Sequence, residues 1–368
     1  MRKLTIVQVL PAMEGGGVER GTLEIANALV QRGHRSIVIS GGGRMVTALE
    51  AGGSEHITWP VGEKSLFTLR LVPRLRRLLK KEGVDILHAR SRLPGWITYL
   101  AWRGMNSARR PRFVTTVHGQ YSVSRYSAVM TRGERVIAVS NTIKDYIRKN
   151  YPDVDEGRIQ VIYRGIDERE FPHGYKPGNQ WLRNWYAQYP QLLDNAVITL
   201  PGRLTRLKGH EDFIDLMARL KAQGMPVYGL IVGDTDPADR QRYAEELMRR
   251  VERQGLDNII FTGYRSDLRE IYTVSNLVLS LSSKPESFGR TVLEALTLGT
   301  PVAGYAHGGV GEVLDTVFPQ GRIPVGDIGA LTAKVQTLLA RKITVPKTDA
   351  FPLKRMLDDT IGLYESLA

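Results

Sequence analysis

Along the first half of the chain, short apolar runs alternate with stretches whose apolar residues recur every three or four positions. Residues 4–9, 36–40, 86–88, 113–117, 135–139 and 159–162 carry the run pattern of buried strands. Residues 18–31, 73–81, 95–102 and 141–149 carry helical spacing. Leu23, Ala26, Leu29 and Val30 share one side of the first, and Ser140 is placed to cap the last. Between 165 and 195 the alternation lapses into prolines, glycines and an aromatic insert, residues 181–189, which reads as a linker. It then restarts, with strands at 197–200, 227–232, 259–261, 277–281 and 301–305. Helices fall at 211–223, 240–254, 268–274, 291–298, 330–339 and 356–367. Strands separated by helices predict βαβ units and mainly parallel sheets. The expected class is α/β, with two Rossmann-like doubly wound domains, residues 1–168 and 196–352, facing a deep cleft. Residues 169–195 link them, and the helical end, 353–368, packs back on the first domain. Ligands are expected at the carboxyl ends of the strands.

Composition narrows the class. The 368 residues suffice for two domains, and 42% hydrophobic with 24% charged residues is ordinary for a globular protein. There is no cysteine, which excludes disulfides, thiol nucleophiles and thiolate metal sites. Residues 1–10 read as a first strand and not as a signal peptide, and no stretch approaches the roughly 20 apolar residues that span a bilayer. A cytoplasmic protein is expected, soluble or peripheral on the inner face of the cytoplasmic membrane.

The net charge of +13 is concentrated. From Leu69 to Arg112, twelve Lys/Arg face only Glu82 and Asp85, a local excess of +10. The segment 73–81 puts Leu75, Leu78 and Leu79 on one side, with Arg74, Arg76, Arg77, Lys80 and Lys81 around the other. It can lie on anionic lipid headgroups or form the solvated face of a packed helix. Nucleic acid is not an expected partner: no binding module is present, and Trp96, Tyr99 and Trp102 read as helix packing.

The chemistry gathers where strands end. Glu286 lies in the loop after strand 277–281, and Glu294 about one turn into the following helix. Backbone N–H groups at that helix start can hold a phosphate. Carboxylates beside a phosphate are repelled by it, so these two better accept hydrogen bonds from neutral hydroxyls on either side, which describes a nucleotide sugar. Arg203 and Lys208, between Gly202 and Gly209, can neutralise a diphosphate or form a solvated basic loop. Gly15, Gly16 and Gly17 follow the first strand, either close to a ligand or as a plain turn; their spacing is not the dinucleotide fingerprint. His118 can hydrogen-bond a sugar hydroxyl or serve structure. Asp234-Thr235-Asp236 reads as a strand-end turn, and no histidine cluster with metal-ligand spacing is present.

These motifs resemble the retaining glycosyltransferases of the GT-B fold, family 4. The family's E-x7-E element is similar to Glu286 and Glu294 with Ser287, Phe288 and Gly289 between. Its G-R-x4-K-G element is similar to residues 202–209, and Gly308-Gly309 with Glu312 to a further signature. The resemblance implies Arg203 and Lys208 on the donor diphosphate, Glu294 on the ribose and Glu286 on the transferred sugar. Gly15, Gly16, Gly17, Gly233, Tyr264, Ser287, Phe288, Gly289, Arg290, Thr291 and Val292 complete the donor set, with His118 near the reacting centre. Arg164 stands where the family usually has asparagine. Family members need no metal or other cofactor. The resemblance implies a UDP-sugar donor and an anionic glycolipid or glycan acceptor such as lipopolysaccharide core, with Arg90 and Arg92 on the acceptor side. A nucleotide-sugar 2-epimerase and a non-catalytic nucleotide-sugar-binding protein of the same fold stay open.

Overall fold

The computed structural model describes residues 2–234, 238–341 and 343–368. The chain forms two compact units. One extends to Gly165 and takes in Leu353–Ala368, and the other is Ile166–Pro352.

The strands of the first unit are β1 (Thr5–Val9), β2 (Arg35–Ser40), β3 (Glu55–Thr58), β4 (Ile86–Ala89), β5 (Arg112–Val117), β6 (Arg135–Ala138) and β7 (Ile159–Val161). They pair in parallel in the order β3-β2-β1-β4-β5-β6-β7. Ile6 and Val7, which point to opposite faces, are both fully buried because helices cover the two sides. Ile6 and Ile86 pack with Ile25 and Leu29 of the helix Gly17–Gln31 and with Met356 and Tyr364 of the helix Leu353–Leu367. Val7 and Leu87 pack with Leu75 and Leu79 of the helix Leu71–Lys81 and with Ile97 and Trp102 of the helix Arg92–Arg103. Ser140 caps the helix Asn141–Asn150, its hydroxyl accepting from Ile143 N at 3.2 Å.

The second unit carries β8 (Ala196–Pro201), β9 (Val227–Val232), β10 (Ile259–Gly263), β11 (Leu277–Ser280), β12 (Val302–Tyr305) and β13 (Arg322–Ile323). They are parallel in the order β10-β9-β8-β11-β12-β13. In each sheet the order reverses at one place, between β1 and β4 and between β8 and β11. Such switch points are where open α/β sheets receive ligands.

Four elements escape the apolar pattern. The helix Val46–Ala51 is short, and β3 is an edge strand, Glu-His-Ile-Thr, whose ends are exposed. The helix Gly308–Val317 opens on glycines, and β13 is two residues long. The stretch expected as a linker, 169–195, lies instead within the second unit and holds the helix Asn179–Gln188. Its aromatic residues recur at helical spacing and have a sheet to cover. Trp181 and Trp185 stack with ring centroids 5.1 Å apart, and Trp185 packs with Val197 and Leu230. Trp181 Nε1 donates to Asp267 Oδ2 at 2.7 Å.

Candidate functional site

Two loops flank the β8/β11 switch point. Residues 202–209 lead from β8 into the helix His210–Ala222, and residues 281–289 lead from β11 into the helix Arg290–Leu298. Ser283 N donates to Leu207 O at 2.9 Å, joining them. The loop after β12 joins the same assembly. Gly309 N donates to Glu286 O at 2.7 Å, and His307 Nε2 donates to Ser282 O at 2.7 Å. The glycines are required by this closeness: a Cβ on Gly309 would run into the Phe288 backbone, and one on Gly233 into the Gly202 carbonyl.

The two motifs named from sequence meet here. Lys208 Nζ donates to Glu286 Oε1 at 2.7 Å, and the Ser282 hydroxyl donates to the same oxygen. Burial alone would push the Glu286 carboxyl up, but the Lys208 ammonium and the Ser282 hydroxyl hold it below the usual carboxylate value. Glu294 is 6% exposed and pairs with Arg290 Nε at 3.0 Å. Beside it Tyr272 is fully buried, its hydroxyl pushed well up by burial and by the Glu294 charge. Gly289, at φ 83°, turns the chain into the helix Arg290–Leu298, so its first N–H groups face the carboxyl end of the sheet. Arg203 and Tyr264 are exposed. The apolar pattern does not mark Ser282, Tyr272 or His307; a histidine ahead of a Gly-Gly helix start is the one available signal.

In the first unit Gly15, Gly16 and Gly17 form an exposed loop into the helix Gly17–Gln31. Arg164 Nη2 donates to His118 Nδ1 at 2.5 Å, so His118 carries its proton on Nε2. Burial and then the Arg164 guanidinium push His118 well below the usual histidine value, and it stays neutral. The same guanidinium lies against Gly21, where a Cβ would collide with it. Arg90 and Arg92, expected side by side at an acceptor, part company. Because β4 pairs with β1, Arg90 faces Gln8 and donates to it at 2.9 Å from a position 1% exposed. That makes it an interior charge and removes it from an acceptor surface. Arg92 lies partly buried between the rings of Tyr121 and Tyr126, its guanidinium carbon 5.0 and 5.6 Å from their centroids. Thr235 and Asp236 lie outside the described residues. Among those described, no group of three or more His, Asp or Glu is placed to hold a metal ion, and no helix is long and apolar enough to cross a membrane.

His210, the first residue after Gly209, has a pH signature. Burial and then the Lys208 charge push its imidazole down to about 4. A depressed folded value means that stability is full above about pH 6.5 and is lost as pH falls toward 4. The loss at pH 5 is expected to be on the order of 2 kcal/mol. Chemical denaturation at pH 7.5 and 5 measures it, and His210→Gln should reduce the drop; an unchanged drop in the variant rules His210 out as its source.

The chain is similar to known proteins along most of its length. The Glycosyltransferase Family 4 domain matches residues 15–170, and the Glycosyl transferases group 1 domain matches residues 184–350. The crystal structure of a glycosyltransferase from Rickettsia africae ESF-5 is similar with a TM-score of 0.87 and 30% identity, over 100% of this chain and 99% of that one. The chain belongs to the glycosyltransferases. Its two parallel-sheet units are those of the GT-B fold, and its first domain matches family 4. Among curated relatives, this glycosyltransferase is 37% identical to the 2-deoxystreptamine N-acetyl-D-glucosaminyltransferase of Streptomyces fradiae over 216 residues. That match covers 57% of this chain and about half, 48%, of the relative. It is 26% identical to the N-acetyl-alpha-D-glucosaminyl L-malate synthase of Bacillus anthracis over 322 residues, 83% of this chain and 79% of that protein.

Proposed function

We propose that this glycosyltransferase moves a sugar from a nucleotide-sugar donor, a UDP-sugar, to a hydroxyl of an anionic membrane-associated glycan or glycolipid such as lipopolysaccharide core, with retention at the anomeric carbon. The observation that carries the donor half is the Lys208–Glu286 pair at the head of the helix Arg290–Leu298. It sets a cation for a diphosphate next to a carboxylate for a sugar hydroxyl. Glu294, one turn further, accepts from ribose hydroxyls. Arg203, Lys208 and the helix start stabilise the charge that grows on the departing diphosphate. The acceptor hydroxyl attacks from the leaving group's own face. The anomeric carbon–phosphate oxygen bond breaks as the glycosidic bond forms, and the hydroxyl proton passes to the departing phosphate oxygen. With two cations on the diphosphate the scheme calls for no metal, so added chelator should leave the rate unchanged. The two curated relatives named above, an N-acetyl-D-glucosaminyltransferase and an N-acetyl-alpha-D-glucosaminyl L-malate synthase, favour a UDP-N-acetylhexosamine among the donors to be tried.

A thermal-shift panel of UDP-N-acetylglucosamine, UDP-glucose, GDP-mannose and ADP-heptose tests the donor, run on wild type and Glu294→Gln. One donor should raise the wild-type midpoint by mass action and lose that effect in the variant. A donor that shifts both equally removes Glu294 from the ribose. The anomeric proton coupling of the product then decides stereochemistry, and an inverted product ends the retaining reading.

A further inference from the structure

The basic helix Leu71–Lys81 is preceded by a 3-10 turn, Leu66–Arg70, whose large apolar side chains are turned out of the core. Leu66 is 86% exposed, Phe67 67% and Leu69 51%, whereas Thr68 between them is buried. The turn is built to hold them so. The Ser65 hydroxyl accepts from Phe67 N at 3.2 Å, and Thr68 Oγ1 donates to Glu63 O at 2.8 Å. The helix that follows has already spent its apolar side on the core, since Leu71, Leu75 and Leu79 are buried. Its exposed side carries Arg74, Arg77, Lys80 and Lys81. Arg70 connects the two parts, its guanidinium carbon 4.6 Å from the Phe67 ring centroid.

An apolar triplet rimmed by cations matches one kind of surface, a bilayer with anionic headgroups over a hydrocarbon interior. An acidic protein face would pair the cations and leave Leu66 and Phe67 wet. We propose that the turn Leu66–Arg70 inserts into an anionic lipid monolayer, with Leu66, Phe67 and Leu69 entering the acyl boundary and the basic helix lying on the headgroups. This rests on the membrane-associated acceptor proposed above and adds an apolar anchor to it. Charge alone would give contact that salt abolishes; the triplet gives contact that salt only weakens.

Flotation on vesicles of phosphatidylcholine, with and without roughly 30% phosphatidylglycerol, reads this directly. Three proteins are compared: wild type, the triple variant Leu66→Ser/Phe67→Ser/Leu69→Ser, and Phe67→Trp. Wild type should float with the anionic vesicles and keep part of its binding in roughly 0.5 M salt. The triple variant, with an unchanged melting midpoint, should bind about tenfold more weakly or worse. Phe67→Trp emission should shift to the blue on the same vesicles. Equal flotation of wild type and triple variant leaves a charge-only membrane contact and overturns the anchor. Wild type that floats with neither vesicle overturns the anchor and the membrane-associated acceptor together. A wild-type dimer that the triple variant turns into a monomer, without flotation, overturns the anchor and assigns the turn to a second copy of the chain.

Discussion

Replacing Lys208 by methionine is expected to lower kcat/KM of this glycosyltransferase by about 10²–10³, and to shift the ionisation of Glu286 upward. The side chain does two things in the structure. It compensates the partly buried Glu286 carboxylate through a 2.7 Å hydrogen bond, and so brings a positive charge from the loop 202–209 to the loop that leads into the helix Arg290–Leu298. Methionine keeps the stem packed along Gly202, where the Lys208 methylenes lie, and removes only the charge. The carboxylate then keeps its burial and the Ser282 hydroxyl but loses its cation, costing about 1–3 kcal/mol of stability near neutral pH. Since Lys208 holds Glu286 low, wild-type stability from this pair is present above the ordinary carboxylate value and is lost as pH falls below it. The variant should show less of that loss. Steady-state kinetics with the identified donor and denaturation curves from about pH 3.5 to 7.5 measure both. Adding Glu286→Gln to Lys208→Met should restore part of the stability and none of the activity. Activity within about threefold of wild type in Lys208→Met removes the residue from the transition state.

Much of this arrangement is visible along the chain, and what is not visible has identifiable causes. The buried strands announce themselves as apolar runs because helices cover both faces of each parallel sheet, as at β1 and β8. The edge strand β3 lacks that pressure: its Glu55 and Thr58 face water, so nothing in the pattern marks them. Glu286 and Glu294 are legible as a pair because one loop and one helix turn separate them. Lys208 and Glu286 are 78 residues apart, and only the adjacency of β8 and β11 brings them together. Arg90 shows the opposite failure. Its local sequence, Arg-Ser-Arg at a strand end, reads as a surface, yet the pairing of β4 with β1 turns it toward Gln8 and the interior. The aromatic insert misleads in the same way, since the prolines and glycines around it signal a break while Trp181 and Trp185 have a sheet to cover.

Gly209→Ala is expected to be the most damaging single methyl in the second unit. Gly209 has φ 75°, in the left-handed region, where an alanine costs roughly 1–2 kcal/mol on backbone grounds alone. It also packs against the end of β11, and a Cβ there would land on the Leu281 carbonyl, which is backbone and has no rotamer to yield. The loop 202–209 must therefore move off the loop 281–289, and the Lys208–Glu286 and Leu207–Ser283 hydrogen bonds stretch together. Gly224 supplies the control. It has φ 69° and open space, with no atom within 4 Å of where an added methyl would sit, so Gly224→Ala carries the backbone cost without the collision. The difference in unfolding free energy between the two variants isolates the steric part, and it should exceed the backbone cost itself. The collision also predicts a functional loss that stability alone does not. At a temperature where both variants are folded, Gly224→Ala should keep the donor-induced thermal shift and Gly209→Ala should lose it. Equal behaviour of the two would mean that the contact between these loops is not what assembles the donor site.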